Sequence, residues 1–226
     1  MELRAVIFDV DGTLVDSQAD IMGSMTAAFE RAGQPVPPRA EILSKVGLSL
    51  EVIFPQLLPD APRDLCALMV DWYKQAYADL RKTKGTLVSS PLYPGARDVL
   101  EQLQAMDHVL LGVATGKSRR GLDGLIEGHG LEGMFQTRQV ADDHPSKPHP
   151  AMLQAAMDAL GVTPEQTVMI GDTSFDMQMG RSAETWCLGV TWGYHPASEL
   201  ARADAIVDHY AQVPGALAEI WSKMDG

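Results

Sequence analysis

The residues best placed to do chemistry stand in four short groups. The first is Asp9-Val10-Asp11-Gly12-Thr13. Its Asp-x-Asp-Gly-Thr pattern fixes four residues. At about one in 20 each over about 220 start points, chance gives about one match per thousand such chains. Asp and Gly are ordinary turn formers, so a solvated acidic turn is the plain alternative. The group closes the apolar run Ala5-Val6-Ile7-Phe8, and open α/β sheets bind ligands beyond the carboxyl ends of their strands. The second group, Thr115-Gly116-Lys117, follows the apolar run Val109 to Ala114. The third is Lys147, in Ser146-Lys147-Pro148-His149-Pro150, just ahead of a helical pattern. A helix N-terminus disfavours a cation, which hints at another purpose for this one. The fourth is Gly171-Asp172-Thr173-Ser174-Phe175-Asp176, after the run Thr167 to Ile170. Two carboxylates four apart at a strand-to-helix junction are either a helix cap with a first-turn acid or ligands for a hard metal ion.

The elements that must position these groups follow from the hydrophobic pattern. Short apolar runs at 5–8, 109–114, 167–170, 187–190 and 205–207, with a fainter one at 139–141, lack in/out alternation. Such runs suit strands of a parallel sheet covered on both faces. Between them lie 3–4 spacings such as Ala96, Val99, Leu100, Leu103 and Met106. Another is Met152, Leu153, Ala156, Met157 and Leu160, with Pro150 near its start and Gly161 as its stop. Strand and helix alternating from about residue 90 predict a doubly wound α/β core.

Residues 17–88 break that rhythm and carry no convincing strand. Ser17 is placed to cap a helix with the apolar face Ile21, Met22, Met25, Phe29 and Ala32, stopped by Gly33. Leu65, Leu68, Met69, Trp72, Tyr73, Ala76, Tyr77 and Leu80 keep helical spacing over about four turns. A βα crossover does not need an insertion of this size. The expected organisation is an α/β core of residues 1–15 and 90–226, with an all-α cap of residues 16–89 standing over the strand ends.

The chain of 226 residues has a formal net charge of −12, from 18 Lys and Arg against 30 Asp and Glu. That balance disfavours nucleic acid as a partner. An anionic substrate would need local positive charge from a metal ion and a few lysines or arginines. No apolar run is long enough to span a membrane. The start, Met1 to Phe8, does not read as a signal peptide. Cys66 and Cys187 sit in apolar patterns and read as buried free thiols in a reducing cytoplasm. The six histidines show no zinc spacing.

Together the groups resemble the four motifs of the haloacid dehalogenase superfamily: FDVDGTLVDS (8–17), VATGK (113–117), SKPHP (146–150) and IGDTSFDM (170–177). The resemblance covers essentially the whole chain, the inserted helical cap included. It is greatest to the phosphoglycolate phosphatase and pyrophosphatase branch, which the tail Gly189 to Tyr194 and His195 to Leu200 also resembles. It implies a Mg²⁺-dependent phosphatase acting on a small phosphorylated metabolite. Asp9 would be the nucleophile that forms an aspartyl-phosphate. Asp11 would be the general acid and base. The metal ligands would be the Asp9 carboxylate, the Asp11 backbone carbonyl and Asp172, with Asp176 acting through a water or holding Lys147. Thr115, Gly116 and Lys147 would hold the phosphoryl oxygens. The second motif has Thr-Gly where many relatives have Thr-Asn or Ser-Asn. An Asp at position 11 separates this pattern from that of the carbon-attacking dehalogenases.

Leaving-group recognition would fall to the cap loop Lys45-Val46-Gly47-Leu48-Ser49-Leu50-Glu51. Gly47 would allow close backbone approach, and Lys45 would meet an anionic leaving group. Phosphoglycolate is the first substrate the resemblance implies. A β-phosphoglucomutase-like mutase and an inorganic pyrophosphatase are the enzyme alternatives. A protein that keeps the fold without turnover would be expected to lack Asp9, Asp11 or Asp172, and all three are present.

Overall fold

The computed structural model describes residues 2–224. Six parallel strands form one sheet: β1 (Arg4–Phe8), β2 (Val109–Thr115), β3 (Thr137–Val140), β4 (Thr167–Gly171), β5 (Trp186–Val190) and β6 (Ala205–Val207), in the order β3-β2-β1-β4-β5-β6. The chain winds outward in both directions from β1, so the topological switch lies between β1 and β4, where α/β sheets place their ligands. Phe8 is in register with Val113 and Ile170. Asp9 therefore leaves β1 level with Ala114 and Gly171, one residue before Thr115 and Asp172. The strand alignment alone brings three of the four groups to one edge of the sheet.

Helices α1 to α10 are Gln18–Arg31, Arg39–Leu43, Leu50–Leu57, Arg63–Lys84, Thr86–Ser89, Ala96–Gln104, Arg119–His129, Ala151–Leu160, Ser174–Ser182 and Val213–Met224. On one face of the sheet Val6, Phe8, Leu111 and Val113 pack against α6, α7 and α10. On the other Ala5, Ile7 and Met169 pack against α8 and α9. Both faces of β1 are buried, which is why its sequence shows no polar alternation.

A separate apolar cluster joins α1 to α4. Ile21, Met25 and Phe29 of α1 meet Ile42, Phe54, Met69 and Tyr73. The chain passes between the two cores beside a bridge of Val15 to Leu92, where Asp16 N–H donates to the Pro91 carbonyl at 2.9 Å. Ser17 stands at the cap position of α1 without capping it. Its hydroxyl is spent in the site, as described below. Cys66 and Cys187 are buried free thiols. Among the described residues no helix is long and apolar enough to cross a membrane.

Candidate active site

The site is built from loop ends. Asp9 follows β1 and is 1% exposed. Lys147, in the loop before α8, is 2% exposed. Its ammonium lies 2.8 Å from Asp9 Oδ1 and 2.7 Å from Asp176 Oδ1. Burial works against the Lys147 charge, but the two carboxylates outweigh it and hold its pKa above the ordinary lysine value. Asp176 stands in the first turn of α9, where Thr173 caps the helix. Asp176 Oδ2 accepts from Thr173 N–H at 3.0 Å and from Thr173 Oγ1 at 2.7 Å. Asp176 thus belongs to a capping box and also grips Lys147.

Asp172 is fully buried at the end of β4. Its Oδ1 accepts from Thr13 Oγ1 at 2.8 Å and its Oδ2 from Tyr194 N–H at 2.8 Å. A Cβ on Gly12 or Gly193 would fall 2.2 or 2.1 Å from Asp172 Oδ2. Only glycine backbone can approach this carboxylate so closely. Gly12 also has φ +85°, where an L side chain is strained.

These residues fit a hard divalent cation. Carboxylate oxygens of Asp9, Asp172 and Asp176 lie within 4.8 Å of one another. Asp9 Oδ1 makes its ion pair with Lys147 without hydrogen-bond geometry, and neither Asp9 oxygen has a hydrogen-bond partner. Buried carboxylate oxygens left without donors are costly unless a cation meets them. Burial, which Lys147 opposes only in part, pushes the Asp9 carboxyl up to about 7; the nearby Asp176 and Asp11 charges add to the rise. Asp172 is raised as well, by burial and then by Asp176 and Asp9.

A thermal prediction follows. The folded Asp9 carboxyl holds a proton that the unfolded chain releases near 4, so metal-free stability falls as pH rises from about 4 towards 7. A bound cation must displace that proton below pH 7. Saturating Mg²⁺ should therefore raise the melting temperature more at pH 8 than at pH 5.5, and Asp172→Ala should remove most of the increment. An equal increment at both pH values would contradict the carboxylate site.

Asp11 faces away from this cluster, towards the cap. Its Oδ1 accepts from Lys117 Nζ at 2.7 Å and from the Ser17 hydroxyl. Lys117 also donates to Tyr77 Oη of α4 at 3.1 Å, with its ammonium 4.6 Å from the centre of that ring. Burial disfavours the charged Lys117, yet Asp11 and the Tyr77 hydroxyl keep its pKa above the usual value. Thr115 is buried, and its Oγ1 accepts from Lys117 N–H at 3.2 Å. Lys117, Tyr77, Ser17 and Tyr194 were not singled out for the site by sequence. Lys117 stood inside a quoted motif, but its partner comes from a helix forty residues earlier.

The cap lies down on these loops. Ser49 N–H donates to Ser146 Oγ at 2.8 Å, next to Lys147. The His195 ring lies 3.2 Å from the Ser44 carbonyl through Nε2. A Cβ on Gly116 would fall 2.8 Å from the Gly47 carbonyl oxygen, so the glycine of the second motif is what lets the cap loop close over it. Gly47, at φ +102°, sits over Thr173.

A cavity of about 930 Å³ opens between cap and core and reaches Asp9, Asp11, Thr115, Gly116 and Lys117. Val46, Gly47 and Leu48 of the cap loop line it, and Lys45 does not. Lys45 is half-buried in the turn after α2, and the cavity's cap-side cations are Lys74, Arg81 and Lys82, all on α4. The expectation that Lys45 meets the leaving group is corrected accordingly: the turn directs its next three residues, not its lysine, to the cavity wall.

The model of the haloacid dehalogenase-like hydrolase family matches residues 6–190. A Dickeya dadantii protein named Probable phosphatase IndB is 35% identical over 93% of this chain and 92% of its own length. A Pseudomonas putida protein named phosphoglycolate phosphatase is 29% identical, covering 94% of this chain and 79% of its own. A solved haloacid dehalogenase-like hydrolase from Streptococcus pneumoniae superposes with a TM-score of 0.81 at 27% identity, over 95% of this chain and 98% of the other. With a family match running from β1 through β5, this chain belongs to the haloacid dehalogenase-like hydrolases.

Proposed function

We propose that this chain is a Mg²⁺-dependent phosphatase that cleaves a small phosphate monoester through an aspartyl-phosphate on Asp9. The observation that carries the reading is the pairing of a buried carboxylate, Asp9, with a half-buried one, Asp11, in different surroundings. Asp9 Oδ2 has no hydrogen-bond partner and its Oδ1 faces Lys147, whereas Asp11 is held by Lys117 and Ser17 and points to the cavity under the cap. A nucleophile must keep a bare oxygen, and a proton donor must be aimed at the departing group.

Asp9 Oδ attacks phosphorus and the ester oxygen leaves with a proton from Asp11. Asp11 then takes a proton from the water that opens the acyl phosphate. Lys147 and Thr115 hold the phosphoryl oxygens, and Asp176 fixes Lys147 for that task. Mg²⁺ bound by Asp9, Asp172 and the Asp11 carbonyl would offset the charge between phosphoryl oxygens and carboxylates. Residues 16–89 act as a cap domain whose loop 45–51 and helix α4 face the leaving group. Phosphoglycolate, for which the Pseudomonas putida relative is named, is the reference ester.

The test is phosphate release from a panel of phosphorylated metabolites, with Mg²⁺ and with chelator. Release that Mg²⁺ supports and chelator abolishes is the expected result. Release indifferent to chelator, or none from any ester, would refute the reading. A mutase would instead interconvert sugar phosphates when primed with a bisphosphate.

A further inference from the structure

We propose that Tyr77 of α4 is a positioning residue for Asp11: it fixes the Lys117 ammonium, and Lys117 fixes the carboxyl group that gives its proton to the departing oxygen. The proposal rests on the phosphatase reading and adds a cap residue to its machinery. The geometry is a relay of three side chains. Lys117 Nζ donates to Asp11 Oδ1 at 2.7 Å and to Tyr77 Oη at 3.1 Å. The ammonium also lies 4.6 Å from the centre of the Tyr77 ring. Tyr77 is itself held from several sides. Its Oη lies 3.1 Å from Ser90 Oγ, its ring stacks on Tyr73 at 6.0 Å, and the Arg81 guanidinium lies 5.4 Å from its centre. Tyr77 and Ser90 are both buried. Packing against Tyr73 would be served by a phenylalanine, and a buried hydroxyl is costly unless it is bonded. Lys117 and Ser90 are what the hydroxyl is bonded to.

Lys117 needs that support. Its backbone is fixed in the core, where its N–H donates to Thr115 Oγ1 at 3.2 Å and its carbonyl accepts from Ala141 N–H at 3.1 Å. Its ammonium, however, ends a flexible four-carbon stem and stays in one place only if partners hold it there. Tyr77 supplies two such contacts, a hydroxyl acceptor and the face of a ring. The consequence falls on one oxygen of Asp11. Lys117 and the Ser17 hydroxyl both donate to Oδ1, and Oδ2 accepts no hydrogen bond from a described residue. A proton on Oδ1 would face the ammonium, so the acid carries it on Oδ2, the oxygen left for the ester. A general acid works only within hydrogen-bond reach of the group it protonates, and a misplacement of about 1 Å can cost about 100-fold.

The test compares two leaving groups by kcat/KM with Mg²⁺, which reports the step that breaks the P–O bond. One ester is the alkyl phosphate cleaved best in the metabolite panel, whose alkoxide leaves poorly without a proton. The other is 2,4-dinitrophenyl phosphate, whose phenolate needs none. Tyr77→Phe keeps the ring and removes the hydroxyl. It should lower kcat/KM about tenfold for the alkyl ester and less than about twofold for the aryl ester. Lys117→Met should show the same selectivity with a larger loss. On the Lys117→Met background, Tyr77→Phe should cost less than about twofold further, because its route to Asp11 is gone. If Lys117→Met does not fold, the two esters with Tyr77→Phe still decide. An equal loss with both esters, no loss with either, or an undiminished Tyr77→Phe loss on the Lys117→Met background would overturn the proposal while leaving the phosphatase reading standing. Failure of the wild-type protein to release phosphate from any ester would overturn both.

Discussion

Asp9→Asn should lower turnover by about 10⁴-fold or more while the protein keeps its fold. An amide is a poor nucleophile towards phosphorus, and loss of the nucleophile itself removes the covalent route. The substitution is close to isosteric at a position 1% exposed. It also removes a carboxylate whose burial already pushes its pKa to about 7, with neither oxygen hydrogen-bonded. Lys147 loses one partner and keeps Asp176 at 2.7 Å. The metal-free melting temperature at pH 8 should therefore change little. Phosphate release at wild-type rate by purified Asp9→Asn protein would remove Asp9 from the mechanism.

Lys147→Met should damage both stability and rate. The ammonium lies between Asp9 and Asp176, and its side chain is fully buried. Its removal leaves two carboxylates without their counter-charge beside the buried Asp172. Breaking a buried pair by deleting one partner costs about 3–5 kcal/mol. Rate should fall by about 10²–10³ through loss of a donor to the phosphoryl oxygens. The stability loss has a sign in pH. Asp9 has a raised pKa, so acidification protonates it more readily in the folded chain and relieves the repulsion. Urea unfolding of the metal-free variant should show a smaller loss at pH 5 than at pH 8. A loss of less than about 1 kcal/mol at pH 8 would mean that Lys147 is not the counter-ion of this site.

The legible parts of the sequence were those in which local pattern and global fold agree. The strands of the sheet could be read because burial on both faces removes polar alternation, as in β1. The four chemical groups could be placed because each follows a strand or precedes a helix, and parallel register then brings them together. Helix α7 escaped the pattern because its sequence, RRGLDGLIEGH, carries three glycines. The structure gives two of them a reason. A Cβ on Gly124 would fall 2.5 Å from Arg81 Nη1, and one on Gly128 would fall 2.4 Å from Thr86 Cβ. The helix accepts a cost of about 1 kcal/mol per glycine so that the end of the cap can lie against it.

Ser17 misled in a different way. Its position before α1 fits a helix cap, and the site takes its hydroxyl for Asp11 and Tyr194 instead. Lys45 misled because a lysine in a predicted binding loop looks like an anion contact, while the turn turns Val46 to Leu48 to the cavity. The partners of Asp11 were out of reach for a simple reason. Lys117 reaches Asp11 from the loop after the neighbouring strand, and docking of the cap adds Tyr77 to Lys117, contacts that no short-range spacing encodes.

The most direct measurement is of the covalent intermediate. Enzyme, Mg²⁺ and a rapidly cleaved ester are mixed and quenched in acid within one turnover, and the digested protein is mapped by mass spectrometry. One phosphoryl group on the peptide that contains Asp9, absent from the Asp9→Asn protein, is the expected result. Steady turnover with no phosphorylated peptide at any quench time, or with the phosphoryl group on another residue, would contradict nucleophilic attack by Asp9.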